Sequence, residues 1–175
     1  MSSSTDQREG IKACSYGDYL DILRELPVLS GVPLDVIKVL AYLSAQESFP
    51  PGEALCEQGD PMDRSFYLLC GEVDVERRSG EQITAIARRR EGFFFGGLGL
   101  LAPAKSLYTV RTATEVTCLV LTKEKFHKTV ERFPDILPKI LRNVVEHVFR
   151  WEEAFLKNHP EECASRGEEL GLSLF

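Results

Sequence analysis

Residues 49–75 read FPPGEALCEQGDPMDRSFYLLCGEVDV, and the spacing of glycine and proline in this run decides the class of fold. Phe49-Pro50-Pro51-Gly52 closes a strand with a tight turn, and Gln58-Gly59-Asp60-Pro61 makes the next one. Between them, Ala54 to Glu57 is long enough only for a short strand. Ser65 to Cys70 is a nearly continuous apolar run, the pattern of a strand covered on both sides. Gly71 turns it into Val73-Asp74-Val75-Glu76-Arg77, which alternates between apolar and polar.

The same rhythm continues outward. Ser79-Gly80 and Glu91-Gly92 are turns, and between them Ile83, Ala85 and Ala87 are expected on one face of a strand, opposite Thr84, Ile86 and Arg88. Val110 to Ala113 and Val116 to Leu121 make two more strands. About eight short strands with turns every eight to twelve residues predict a sandwich, barrel or jelly roll. Helices flank it. Tyr19, Leu20, Ile22, Leu23 and Leu26 share a helical face that Pro27 ends, and Leu34, Ile37, Leu40 and Ala41 define a second. Thr122 caps a helix over 123–133, which Pro134 breaks.

A last helix is expected from about Asp135 to Lys157. Leu137, Leu141, Val144, Val148, Trp151 and Phe155 recur at steps of 4, 3, 4, 3 and 4, the spacing of a coiled-coil seam. Ile136, Ile140, Val145, Phe149 and Leu156 widen the apolar face. A helix apolar around so much of its girth needs two partners. One is its own β-domain, and the other is expected to be the same helix of a second chain. The competing reading packs both faces within one chain.

The chain has 175 residues, 43% of them apolar, and carries a formal charge of −6. One domain with its own core is expected. The acidic balance argues against nucleic acid as a partner, although Arg77-Arg78 and Arg88-Arg89-Arg90 are local basic runs. Cys14, Cys56, Cys70, Cys118 and Cys163 form no metal-type pair with His127, His147 or His159. Cys56, Cys70 and Cys118 sit in apolar strand patterns and are expected to act as small core residues. No leader or membrane span is visible, so a reducing, cytoplasmic location is expected.

Residues 93–110, FFFGGLGLLAPAKSLYTV, carry the candidate site. A strand breaks at Gly96-Gly97 and opens into a short turn of helix, which leaves backbone N–H groups free to meet an anion. The alternative is a glycine-rich bend with no ligand. Phe93, Phe94, Phe95 and Tyr108 could stack on a base, or simply fill the core.

The order of helix, eight-stranded roll and two terminal helices resembles the cyclic nucleotide-binding domain, and 49–75 looks like its signature. Residues 94–101, FFGGLGLL, resemble its phosphate-binding cassette, and 113–137 are similar to the matching part of bacterial catabolite-activator-type regulators. The resemblance implies a mainly β fold: an eight-stranded double-stranded β-helix, or jelly roll, with N-terminal helices and a long C-terminal helix. It divides the chain into a tail (1–14), a cyclic nucleotide-binding-like roll with flanking helices (15–133), a dimerisation helix (134–157) and a second tail (158–175). It also implies a small-molecule ligand, cyclic AMP or cyclic GMP, held by the cassette positions Gly96, Gly97, Leu98, Gly99, Lys105, Ser106, Leu107 and Tyr108.

The family usually has a glutamate where this chain has Gly97, and an arginine where it has Ser106 or Leu107. Losing both charge-assisted contacts should weaken cyclic nucleotide binding roughly 10²–10⁴-fold. Lys105 stands one step away, and Arg111 lies further along with its direction open. The expected function is therefore a regulatory ligand-sensing module with an atypical cassette. The alternative is a ligand-free dimerisation or protein-interaction module that keeps only the fold. Direct DNA binding is not expected, since only 18 residues follow Lys157. No enzyme motif is present, and Glu152-Glu153 read as a solvated face.

Overall fold

The structure is a computed structural model and describes residues 16–159. The expected tail over 1–14, and that over 158–175 apart from its first two residues, lie outside the described residues. Helix α1 (Tyr16–Glu25), a 3-10 turn at Pro27–Leu29 and helix α2 (Leu34–Leu43) lead into the strands. These are β1 (Ala45–Phe49), β2 (Ala54–Cys56), β3 (Arg64–Cys70), β4 (Val73–Ser79), β5 (Gln82–Arg89) and β6 (Phe94–Phe95). The short helix α3 (Gly97–Leu101) follows, then β7 (Thr109–Thr112), β8 (Val116–Thr122), α4 (Lys123–Arg132) and α5 (Leu137–Asn158).

The strands form two four-stranded antiparallel sheets, ordered β1-β8-β3-β6 and β2-β7-β4-β5. Their facing sides enclose Phe49, Phe66, Leu68, Val73, Val110 and Val120, the core of the roll. The helices cover the outer side of the first sheet, where Leu119 and Leu121 meet Leu23, Ile37, Leu40, Phe126, Ile136 and Ile140. Strand β8 is thus covered on both faces, and every residue from Val116 to Leu121 is buried. Strand β3 lies between the same two clusters, with Phe66 and Leu68 inward and Tyr67 and Leu69 against the helices.

Three sequence expectations are corrected. Ile83, Ala85 and Ala87 do not share a face: a bulge opposite Val75 and Glu76 leaves Ile86 unpaired, so the parity of β5 flips there. The last helix begins at Leu137, because Pro134 to Ile136 form a 3-10 turn first. Cys70 is exposed at the end of β3, whereas Cys118 is fully buried and Cys56 half-buried.

Burial pushes the Cys118 thiol from its ordinary 9.0 up to about 12 and raises that of Cys56. Alkylation at about pH 8.5 needs a thiolate and access. With iodoacetamide and peptide mass mapping, Cys70 is expected to react first, Cys56 slowly, and Cys118 only after unfolding. Native Cys118 keeps its proton above 9.0, where the unfolded thiol loses it, so this residue makes stability fall as pH rises from 9.0 toward about 12. Equal labelling of Cys118 and Cys70 in the native protein would contradict the burial.

Helix α5 docks through Ile136 just before it and Ile140 within it, both 1% exposed. Asn143 Nδ2 donates to the carbonyls of Val28 and Ser30 at 3.1 and 2.8 Å, pinning the helix to the turn after α1. Along its seam Leu137, Leu141 and Trp151 are exposed, while Val144, Val148 and Phe155 are half-buried. Glu152 corrects another expectation. It lies along the apolar stripe, four residues after Val148 and three before Phe155, and is buried with Oε1 lacking a hydrogen-bond partner. Glu153 is exposed, as expected.

Candidate functional site

The site region starts where β6 ends. Phe93 and Phe95 point into the roll, while Phe94 turns out toward the helical side. The ring of Phe95 stacks on Phe66 (4.9 Å, 11° between planes) and on Phe93 (5.3 Å, 21°). The interior at this end is therefore packed with an aromatic column. These rings are core residues, as one of the two sequence readings has them.

Gly96 then takes φ 83° and caps α3 without any side-chain hydrogen bond. The first amides of a helix have no partner within it, and no side chain caps this turn. Gly96 and Gly99 also allow close approach. A Cβ at Gly96 would sit 2.3 Å from the Arg64 carbonyl oxygen, and one at Gly99 would sit 2.2 Å from that of Met62. Helix α3 is thus pressed against the backbone of 62–64.

Gly97 is crowded by a side chain instead. A Cβ there would meet Phe94 Cε1 at 2.8 Å. Gly97 and Phe94, with Leu100, Leu101, Tyr67 and Ile140, border a small apolar cavity of ≈ 40 Å³ beneath α3. The position that holds glutamate in the resemblance lies over this apolar space. His127, which the sequence excluded from a metal-type pair with cysteine, donates from Nε2 to the Leu100 carbonyl at 2.8 Å and ties α4 to the end of α3. Nothing in the local sequence around His127 signals that contact.

The second half of the candidate stretch runs beside the turn after β2. Gly59 N donates to Ser106 O (2.8 Å), Ser106 N to Asp60 O (2.9 Å) and Met62 N to Ala104 O (2.9 Å). Ser106 is 2% exposed, and its Oγ donates to the Tyr108 carbonyl and lies 3.6 Å from Cys56 Sγ. Tyr108 packs half-buried against the roll core, and burial raises its phenol pKa. Leu98, Lys105 and Leu107 are exposed. The structure brings Gly96, Gly97 and Gly99 together at the end of the roll but directs the Ser106 hydroxyl into the protein fabric.

The direction of Arg111 is settled by register. It pairs with Asp74 on the outer face of the second sheet, and Nη1 donates to Gly52 O at 2.8 Å. It borders a polar concavity of ≈ 560 Å³ on that outer face, along with Glu57, Glu76, Arg78 and Thr109. Arg111 therefore faces away from the roll interior. Among the described residues no cluster of His, Cys, Asp or Glu could hold a metal ion, and no helix is long and apolar enough to cross a membrane.

Residues 46–133 match the profile of the cyclic nucleotide-binding domain. The chain is 28% identical over 131 residues to the potassium channel SKOR of Arabidopsis thaliana, covering 73% of this chain and 16% of the channel. It is 34% identical over 112 residues to the cAMP-dependent protein kinase regulatory subunit of Colletotrichum orbiculare, covering 63% and 28%. The chain thus spans less than a third of the length of these curated relatives. Among solved structures, the N-terminal domain of a transcriptional regulator from Streptomyces coelicolor superposes with a TM-score of 0.67 at 24% identity, covering 77% of this chain and 96% of that one. The catabolite activator protein of Thermus thermophilus gives a TM-score of 0.60 at 20% identity, covering 75% and 62%. At these identities the two structures support the fold alone.

Proposed function

We propose, since the chain belongs to the cyclic nucleotide-binding domain family, that it is a regulatory, non-enzymatic module whose cassette senses a small anion other than ordinary cyclic AMP or cyclic GMP. The relatives named for cyclic nucleotides support a ligand-binding regulator. The observation that carries the departure is Ser106. The position expected to offer a guanidinium holds a hydroxyl that is buried and already hydrogen-bonded to Tyr108 O. At the carboxylate position, Gly97 faces the Phe94 ring. Helix α3 starts from Gly96 with no side-chain cap, and Lys105 lies exposed on the loop that follows it.

The exposed seam of α5, Leu137, Leu141 and Trp151 flanked by Val144, Val148 and Phe155, supports a homodimer through this helix. Ligand would then act by favouring one packing of α5 over another, which requires different affinities for the two packings. Direct DNA contact is not part of the proposal. Arg88 and Arg90 are paired with Glu72 and Asp74, which leaves little of that basic run for phosphates.

Calorimetric titration with cyclic AMP and cyclic GMP is expected to give dissociation constants weaker than about 100 µM. Micromolar or tighter binding of either one overturns the reading. The aromatic column of Phe66, Phe95 and Phe93 favours a second reading, a ligand-free dimerisation module, because it already fills this end of the roll. A thermal-shift screen of nucleotides and small organic anions separates the two, since only the sensor gains stability with ligand.

A further inference from the structure

The run Arg88-Arg89-Arg90, at and just beyond the end of β5, is divided between the two faces of the second sheet. Arg88 donates to both Asp74 carboxylate oxygens, at 2.7 and 2.9 Å, and Arg90 meets Glu72 at 2.7 Å. Both pairs lie on the outer side of the second sheet. Arg89 pairs in register with Val73, which is fully buried in the roll, so its side chain leaves from the inner face. Its guanidinium lies 5.8 Å from the centroid of the Phe93 ring. Phe93 stacks on Phe95, the residue before Gly96, so an aromatic pair connects this cation to the start of the cassette.

The inner face of the β4–β5 ribbon is electrostatically lopsided. The two acidic residues of these strands, Asp74 and Glu76, point outward, away from Val73 and Val75. Arg89 and Arg77 point inward, and among the described residues neither is within ion-pair distance of a carboxylate. In a chain of net charge −6, these are two exposed positive charges about 13 Å apart along the strand. Between the two arginines this face carries Val75 and Ala87.

From this juxtaposition we infer that Arg89, a strand residue outside the cassette, is an anion contact on the inner face of the β4–β5 ribbon, and that its ligand is a small organic oxyanion with a flat apolar body. The inference rests on the sensor reading above and names its ligand class. A guanidinium braced on an aromatic ring offers a planar fork to a phosphate or carboxylate. The half-buried edge of Phe93 and the side chain of Ala87 offer apolar surface to the body of the ligand. Among the described residues, β4 and β5 place no carboxylate on this face to grip a ribose diol.

Phenyl phosphate carries this chemistry and is the probe. By calorimetry it is expected to bind with a dissociation constant below about 1 mM, and inorganic phosphate more weakly. Arg89→Gln should weaken phenyl phosphate about ten- to a hundredfold, and Arg89→Lys less. Arg88→Gln, on the outer face, should leave binding unchanged. Circular dichroism checks the fold of each variant, and Arg89→Lys carries the test if the glutamine variant unfolds. Absence of phenyl phosphate binding, or binding that is lost with Lys105→Gln and indifferent to both Arg89 variants, overturns the inference. Tight cyclic AMP binding overturns the sensor reading instead. The two failures are therefore distinguishable.

Discussion

Gly96→Ala is expected to destabilise the protein by about 2–5 kcal/mol, of which about 1–2 is the cost of a left-handed backbone for an L-residue and about 1–3 is overpacking. The second part comes from the immediate surroundings. The new methyl would lie 2.3 Å from the Arg64 carbonyl oxygen and 3.0 Å from Ser65 Cα. Those atoms belong to the backbone of β3, which pairs with β8 at Arg64↔Thr122 and Ser65↔Leu121. A side chain could swing aside, but a strand held in that ladder cannot move without disturbing the sheet. For a chain of this length the melting temperature should fall by roughly 4–20 °C. Gly52→Ala is the control, because Gly52 has a similar φ of 86° but nothing within 4 Å of the added methyl. Thermal and urea unfolding followed by circular dichroism should show the Gly52 variant losing only about 1–2 kcal/mol. Equal losses at the two positions would mean that contact with β3 does not constrain the cassette.

The contrast between these two glycines shows what a sequence can and cannot convey. Turn glycines at 52, 59 and 71, with the alternation of 73–77, were enough to read the roll, because they record local backbone requirements. The capping role of Thr122 was legible for the same reason, and its Oγ1 accepts from Lys125 N. Facing was harder. Alternation gives parity along a strand, and only register against a neighbour says which parity is inward. Arg111 was open from sequence and became outward once β7 paired with β4. Ala87 was placed with Ile83 and Ala85 until the extra residue at Ile86 reversed the phase. Glu152 looked solvated because carboxylates usually are, yet its place on the helix puts it among apolar neighbours in sequence spacing. Ser106 carried no local sign that its hydroxyl would turn toward its own chain two residues on.

The charge pattern of the site follows the same division. The absence of glutamate at 97 and arginine at 106 is visible in the letters. The steric counterpart at Gly97 is not: the Phe94 ring occupies the direction a longer side chain would take. Restoring a charge at one position would therefore leave the steric block at Gly97 in place. Under the proposed sensor reading, ligand choice would depend on the packing of β6 and α3 as much as on the charged residues.

The second large effect is expected at the far end of the molecule. In the double variant Leu141→Glu/Trp151→Glu, the proposed dimer should dissociate at least about 10⁴-fold more readily. Leu141 and Trp151 are 57% and 61% exposed in the single chain, Trp151 even though its ring stacks on Phe155, so most of their apolar surface is left uncovered. Burying each one against a partner contributes about 1.5–3 kcal/mol, and two-fold symmetry counts each substitution twice. The four affected side chains thus remove about 6 kcal/mol or more, before any repulsion between the new carboxylates. The fold should survive, because the docking of α5 onto its own domain runs through Ile140 and Asn143. Ile140→Ala should do the reverse, costing about 2–5 kcal/mol of stability while leaving the seam residues in place. Sedimentation velocity from micromolar to hundred-micromolar concentrations, beside thermal unfolding, distinguishes the two variants. A seam variant that remains dimeric, or a parent chain that is monomeric throughout, would remove α5 as the dimer interface and leave its exposed apolar face to another partner.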